Sequence, residues 1–370
     1  MPMQLSDFRY TLPPGLIAQR PLPERDASRL LLLDRGTGAV AHRSFRDLPS
    51  LLHPGDLLVL NDTRVLPARL DGATPRGGRV EILLLEEAGA TAWWAWLKPG
   101  RRARVGVAFS LPGGLLAHVR ERGREGRILL EIDGSLSVRE LLGRHGRMPL
   151  PPYIKRAVPR ERPAGPLGAG ARDEEREDRE RYQTVYARED GAIAAPTAGL
   201  HFTEAMLEAV RARGVAVAFL TLHVGVGTFK PVRVEEVEGH RMDPERFRIP
   251  EATGRAVKET RGCGGRVVAV GTTTVRALES AADEGDTPRA GPGQATLFIT
   301  PGYRFRVVDA LLTNFHLPCT TLLMLVSAFA GRERVLAAYR EATAARYRFY
   351  SYGDAMLILY KRGQAGTGAG

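Results

Sequence analysis

Cysteine is nearly missing from this chain: Cys263 and Cys319 are the only two among 370 residues. Two thiols exclude a disulfide-stapled scaffold and a cysteine-built zinc centre. No apolar run reaches the ~18 residues that a membrane-spanning helix needs. The opening residues, MPMQLSDFRYTLPPGLIAQ, lack the basic, apolar and small-residue order of a secretory signal. Together these absences point to a soluble protein of the reducing cytoplasm. No segment recurs with a period of ~20–50 residues, which excludes a solenoid. Neither H-x-x-x-H nor C-x-x-C spacing occurs among the histidines and cysteines, so no metal is expected. No G-x-S-x-G elbow marks a serine hydrolase.

Lysine is also scarce, five against 48 arginines, yet the formal net charge is +11. The excess is local. From Lys98 to Arg162 there are 15 Lys or Arg against 6 Asp or Glu. An arginine-rich proteome explains the preference for arginine but not its clustering. A basic stripe of this kind fits a nucleic-acid backbone, where bound cations release condensed counterions.

The chain has three textures. Ser28–Asp34 and Ala39–Phe45 flank Gly36-Thr37-Gly38 and predict a hairpin. Gly55–Leu60 predicts a further strand, ended by Asn61-Asp62-Thr63-Arg64. From Arg64 to Leu150, short apolar stretches (Val80–Leu85, Ala92–Leu97, Leu115–Val119, Arg127–Ile132) alternate with glycine, proline and charge, the pattern of a small β-barrel. Residues 157–181 form a charged linker ending in RDEEREDRER. Beyond Tyr182, strands and helices alternate. Strands are expected at Ala192–Ala195, Val215–His223, Arg266–Val270, Thr296–Thr300 and Ala355–Tyr360, and helices at Glu204–Arg213, Glu251–Arg261, Thr273–Ala282, Thr320–Ala330 and Arg332–Arg346. Such alternation implies a parallel or mixed sheet with flanking helices. The expected organisation is an α/β domain from residues 1–60 and 152–370, with 61–151 inserted as the barrel.

In α/β sheets, ligands bind beyond the carboxyl ends of the strands. Four segments are expected there. Ala195–Thr203 (APTAGLHFT) carries His201 and runs into a helix N-terminus, which attracts anions. The bland alternative is that Thr203 caps the helix and His201 is a surface residue. Thr221–Phe229 (TLHVGVGTF) carries His223 and, in Gly225 and Gly227, two glycines that let backbone approach a ligand. Gly271–Arg276 (GTTTVR) offers hydroxyls and a helix N-terminus for a carboxylate or phosphate. Thr313–Pro318 (TNFHLP) carries Asn314 and His316. An unperturbed histidine titrates near pH ~6.5, which suits proton transfer.

The strings GDLLVLNDTRVLPARL, LPPYIKR, RYQTVYA, APTAGLHFT, LTLHVGVGTF, VGTTTVRALES, TNFHLP and YSYGDAMLI resemble the S-adenosylmethionine:tRNA ribosyltransferase-isomerase family in order along nearly the whole chain. Two departures stand out. Residues 157–181 are longer than usual in that family, and Asp243 stands where a second histidine is usual after His240. The resemblance implies an α/β domain with a β-barrel domain. It also implies transfer and isomerisation of the ribosyl part of S-adenosylmethionine onto 7-aminomethyl-7-deazaguanine at the tRNA wobble position. The products are epoxyqueuosine-tRNA, adenine and methionine. S-adenosylmethionine is then a substrate, with no further cofactor. A monomer is expected, although the sequence itself does not reveal the oligomeric state. On this reading His201, His223 and His316 move protons. Thr197, Gly199, Gly225, Gly227, Thr272, Thr273, Arg276 and Asn314 position S-adenosylmethionine. Asn61, Asp62, Thr63 and Arg64 contact ligand or tRNA, and Arg101, Arg102, Arg104, Lys155 and Arg156 take the RNA backbone. Two rivals are an S-adenosylmethionine-dependent RNA methyltransferase, which would release S-adenosylhomocysteine, and a non-catalytic RNA-binding factor, which would leave the strand-end loops without purpose.

Overall fold

The computed structural model describes residues 3–134, 136–156, 169–225, 227, 232 and 234–360. The first part of the expected linker (157–168) and most of the stretch 226–231 lie outside them.

The N-terminal hairpin forms as expected, with β1 at Arg29–Asp34 and β2 at Val40–Ser44. A short helix α1 (Leu48–Leu51) precedes β3, Leu57–Asn61. Asn61 therefore belongs to the strand rather than ending it. Thr63–Val65 is a separate strand, β4. The barrel follows: β5 (Arg69–Ala73), β6 (Arg79–Glu87), β7 (Ala92–Lys98), β8 (Ala108–Ser110), β9 (Leu116–Arg122) and β10 (Ile128–Asp133). These six strands close in the order β10-β7-β6-β5-β8-β9. Alternate residues such as Val80, Ile82 and Leu84 point inward to a core of their own, the period that strand geometry requires. Helix α2 (Val138–His145) begins at a capping box in which Ser137 Oγ accepts from Glu140 N and Glu140 from Ser137 N.

Helix α3 (Ala169–Arg181) contains the acidic and basic run. It is docked rather than solvated. Asp178 is buried and pairs with Arg156 at 2.6 Å, and Arg20 reaches Glu174 at 2.6 Å and Glu177 at 3.1 Å. Strand β11 (Glu189–Ala192) pairs with β4 in a two-stranded sheet of their own. The expected strand at Ala192–Ala195 is thus displaced toward the N-terminus and lies outside the main sheet. Then come α4 (Glu204–Ala212), β12 (Ala216–Leu222), β13 (Glu245–Ile249), α5 (Glu251–Gly262), β14 (Val267–Val270), α6 (Thr272–Ser280), β15 (Gly291–Ala295), β16 (Ala310–Asn314), α7 (Thr321–Ala330), α8 (Arg332–Ala344) and β17 (Ala355–Leu359). The expected strand at Thr296–Thr300 is absent. Its place is taken by β15, a glycine- and proline-containing edge strand whose composition hides it.

The main sheet has nine strands in the order β15-β13-β12-β3-β14-β16-β17-β1-β2. Its centre is parallel, β12, β3, β14 and β16 all running the same way, while β13, β15, β17 and β2 pair antiparallel to a neighbour. Every residue of β3, β14, β16 and β17 is buried. That is the continuous apolar run of strands covered on both faces, and one core lies on each side of the sheet. Parallel direction brings Asn61, Leu222, Val270 and Asn314 to one edge.

Candidate active site

Three of the expected loops leave that edge, after β12, β14 and β16. The Asn61–Arg64 segment, after β3, is the fourth. The segment with His201 follows no strand of the main sheet, so it is not an equivalent strand-end loop. It reaches the same edge as a turn of 3-10 helix, Thr197–His201, packed on the end of β16.

The loops after β12, β14 and β16 and the Thr197 turn line a common cleft. Thr197, Thr272, Thr273, Asn314 and His316 line it, together with Gly271, Val224 and Phe315. Sequence reasoning missed Tyr153, Tyr182, Tyr350 and Ser351, which also line it. Tyr153 arrives from the chain leaving the barrel, and its hydroxyl hydrogen-bonds Ser351 Oγ. The Tyr153 and Tyr350 rings meet edge to face at 3.9 Å. Tyr350 has φ 75, a conformation that costs a bulky residue on the order of 1–3 kcal/mol and concentrates at functional sites. The strings LPPYIKR and YSYGDAMLI were the available signal, but nothing local says that they meet.

Asn61, fully buried, ties the strand ends together. Its Nδ2 donates to Leu222 O at 3.0 Å and Thr273 Oγ1 at 3.3 Å, and its Oδ1 accepts from Leu222 N at 3.0 Å and Thr63 N at 3.2 Å. Asp62, buried too, accepts from Thr221 Oγ1 at 2.7 Å and Arg188 at 2.9 Å. Both residues are spent within the protein. Arg64 is exposed, donates to Ala187 O at 2.5 Å and lies 3.7 Å from Asp190.

The three histidines do not form one cluster. His316 alone lines the cleft. Its Nε2 is 3.0 Å from Thr313 Oγ1 and its backbone carbonyl accepts from Tyr10 Oη at 2.5 Å. Complete burial lowers its pKa to about 3. His201 is buried behind Asn314, not on the surface. Its Nδ1 is 2.6 Å from Ser28 Oγ and its Nε2 3.2 Å from Asn314 Nδ2. Burial, with Arg348 and Arg25 nearby, lowers its pKa to about 4. His223 follows β12, with Nδ1 2.8 Å from Thr63 Oγ1; burial first and Arg246 second lower its pKa. Gly191 (φ 149) lies against this ring, where a Cβ would come within 2.8 Å of it. Strands β3 and β14 separate β12 from β16. Three spacings of ~4.8 Å put the ends of β12 and β16 about 14 Å apart.

Arg276 does not reach the cleft, in contrast to the expectation for it. It is buried in an ion pair with Glu245 and donates to Ala295 O at 2.8 Å and Leu297 O at 3.3 Å. Gly199 packs on Tyr186, leaving no room for a Cβ, and is not part of the cleft wall. Gly225 N donates to Glu245 Oε1 at 3.1 Å; Gly227 lies against Asp243. His240 meets Phe298 edge to face at 5.1 Å. Thr203 Oγ1 accepts from Met206 N at 3.1 Å, so it caps α4. On the barrel side Arg101, Arg104 and Lys155 are exposed. Arg102 donates to Arg79 O, and Arg156 is bound to Asp178 and to Gln19 O at 2.8 Å.

A mixed sheet with a closed barrel and an uncharged, aromatic-lined cleft at the parallel strand ends defines a two-part enzyme that binds a small molecule. The chain belongs to the family of queuosine biosynthesis proteins, whose profile matches residues 5–358. It is 55% identical over 359 residues to an S-adenosylmethionine:tRNA ribosyltransferase-isomerase of Citrifermentans bemidjiense, covering 96% of this chain and all of the relative. A protein of the same name from Symbiobacterium thermophilum is 51% identical over 361 residues, again 96% of this chain and all of the relative. Among solved structures, S-adenosylmethionine tRNA ribosyltransferase from Thermotoga maritima matches with TM-score 0.53 and 38% identity, over 96% of this chain and all of that one.

Proposed function

We propose that this protein transfers and isomerises the ribosyl part of S-adenosylmethionine onto 7-aminomethyl-7-deazaguanine at the wobble position of tRNA, releasing adenine and methionine. The observation that carries the reading is the cleft itself. It sits where the strings GTTTVR, TNFHLP and YSYGDAMLI converge with Tyr153 from the chain leaving the barrel.

The free N–H groups that begin α6, at Thr272 and Thr273, suit the substrate carboxylate. The sulfonium acidifies its neighbouring C5′ hydrogens, and adenine must leave. His316 is the histidine placed to exchange a proton with a ligand in the cleft. Its ring is a neutral, weak base before reaction. Once it takes a C5′ proton, the imidazolium stands beside the carbanion it has created, and that opposite charge favours the protonated ring as the transfer proceeds. No other cofactor is required. The tRNA backbone would lie along exposed barrel cations such as Arg101 and Arg104. No helix among the described residues is long and apolar enough to cross a membrane; we place the enzyme in the cytoplasm, where tRNA is, as a monomer.

Incubation with S-adenosylmethionine and precursor tRNA tests the reading. Free adenine and methionine are expected. S-adenosylhomocysteine instead would indicate a methyltransferase, and no small-molecule product a binding factor.

A further inference from the structure

Asn314 ends β16 as one link in a hydrogen-bond chain whose direction is fixed at both ends. At one end, Asn314 Nδ2 donates to the Tyr350 carbonyl at 3.1 Å. A carbonyl only accepts, so the amide nitrogen, not the oxygen, must face that way. The same nitrogen meets His201 Nε2 at 3.2 Å, which must therefore be the unprotonated ring nitrogen. The His201 proton then sits on Nδ1 and goes to Ser28 Oγ at 2.6 Å, and Ser28 donates to the Arg25 carbonyl at 3.2 Å. Both ends are backbone acceptors, so the chain has one polarity only. Burial keeps His201 neutral, as that polarity requires.

One atom remains over. Asn314 Oδ1 is buried, has no partner within the protein, and belongs to a residue of the cleft wall. A buried acceptor left unsatisfied is costly, so the site is built for a ligand that donates. The rest of the wall narrows the choice. Among the described residues that line the cleft there is no Asp, Glu, Lys or Arg, while Tyr153, Tyr182, Phe315 and Tyr350 supply aromatic surface. A phosphate would find no cation there. A neutral heterocycle with an amino group fits both the aromatic wall and the Asn314 acceptor; Tyr182 Oη, also buried in that wall without a partner among the described residues, can donate or accept and does not narrow the choice.

We propose that Asn314 Oδ1 accepts a hydrogen bond from the 6-amino group of the adenine ring of S-adenosylmethionine, and that His201 is a positioning residue that holds the Asn314 amide in the accepting orientation. The proposal rests on the functional reading above. It puts the adenine at the Asn314 side of the cleft and removes His201 from proton transfer.

Binding of S-adenosylmethionine and of its analogue with hydrogen in place of the 6-amino group is measured by calorimetry without tRNA, so that the deazaguanine base cannot supply the donor. Wild-type protein is expected to bind the analogue about tenfold more weakly. In N314L the two ligands bind equally. H201L, which lacks the acceptor for Asn314 Nδ2, shrinks the ratio, and H201Q, which restores an acceptor near the Nε2 position, recovers it. A ratio near one in the wild-type protein overturns the proposal without needing any variant to fold. A ratio unchanged in N314L overturns it as well. Wild-type protein that binds neither ligand and releases no adenine from S-adenosylmethionine and precursor tRNA sinks both this proposal and the functional reading. Adenine release with a ratio near one sinks this proposal alone.

Discussion

Glu245, the first residue of β13, and Arg276, in the middle of α6, form an ion pair buried from solvent on both sides. Burial pushes the Glu245 carboxyl up, and Arg276 pulls it back. Glu245 also accepts from Gly225 N, so the pair connects a strand, a helix and the glycine loop after His223.

Removing one partner strands the other charge in the interior. R276M and E245M are each expected to lose about 3–5 kcal/mol of unfolding free energy. The double change R276M/E245M should lose less than the two single losses combined, because no charge is left uncompensated. Urea unfolding midpoints check this; additive losses would contradict it.

His316 lines the cleft and His223 does not. H316A should slow adenine release by about 10²–10⁴-fold, the range of a lost general acid or base. H223A should retain more activity than H316A, since its ring lies with Thr63 about 14 Å along the sheet edge. Single-turnover timing of adenine release separates these. Wild-type rates in the His201, His223 and His316 alanine variants alike would remove histidine from the chemistry.

Acid should destabilise the fold through the same rings. In the unfolded chain a histidine titrates near ~6.5; folded, His201 and His316 titrate at about 4 and about 3. Between these values the unfolded state binds the extra protons, so stability is complete above ~6.5 and falls as pH drops. Each ring contributes a slope on the order of 1 kcal/mol per pH unit. Urea unfolding from pH 7.5 to pH 4.5 measures the slope, and H316Q should show a shallower fall than wild type. Equal slopes would mean that His316 is not held neutral.

Exposed and paired arginines on the barrel side should behave differently toward tRNA. R101A and R104A are each expected to weaken binding and lower the slope of log affinity against log salt by about one if that side chain touches a phosphate. R156A should leave that slope unchanged and lower stability instead, because Arg156 is held by Asp178 and Gln19. Filter binding across a salt series checks both. A change in salt slope for R156A, with none for R101A or R104A, would reverse the assignment.

Periodicity and punctuation determined much by themselves: the hairpin β1–β2, the run of short barrel strands, the strand–helix alternation after Tyr182, and the loops after β12, β14 and β16. These features depend on neighbours in the chain, and two-residue and 3.6-residue periods show them directly. The edge strand β15 escaped because its glycines and proline carry no apolar signal. Tertiary structure decided the rest. The parallel order of β12, β3, β14 and β16 brought Thr272, Asn314 and His316 to one cleft and left His223 with two strands between it and β16. Folding of distant segments supplied Tyr153 and Tyr350. Burial turned Arg276 into a clamp and His201 into a neutral support for Asn314. A residue type sets which hydrogen bonds and charges are available; only the packed neighbours decide which are already spent and which still face a ligand.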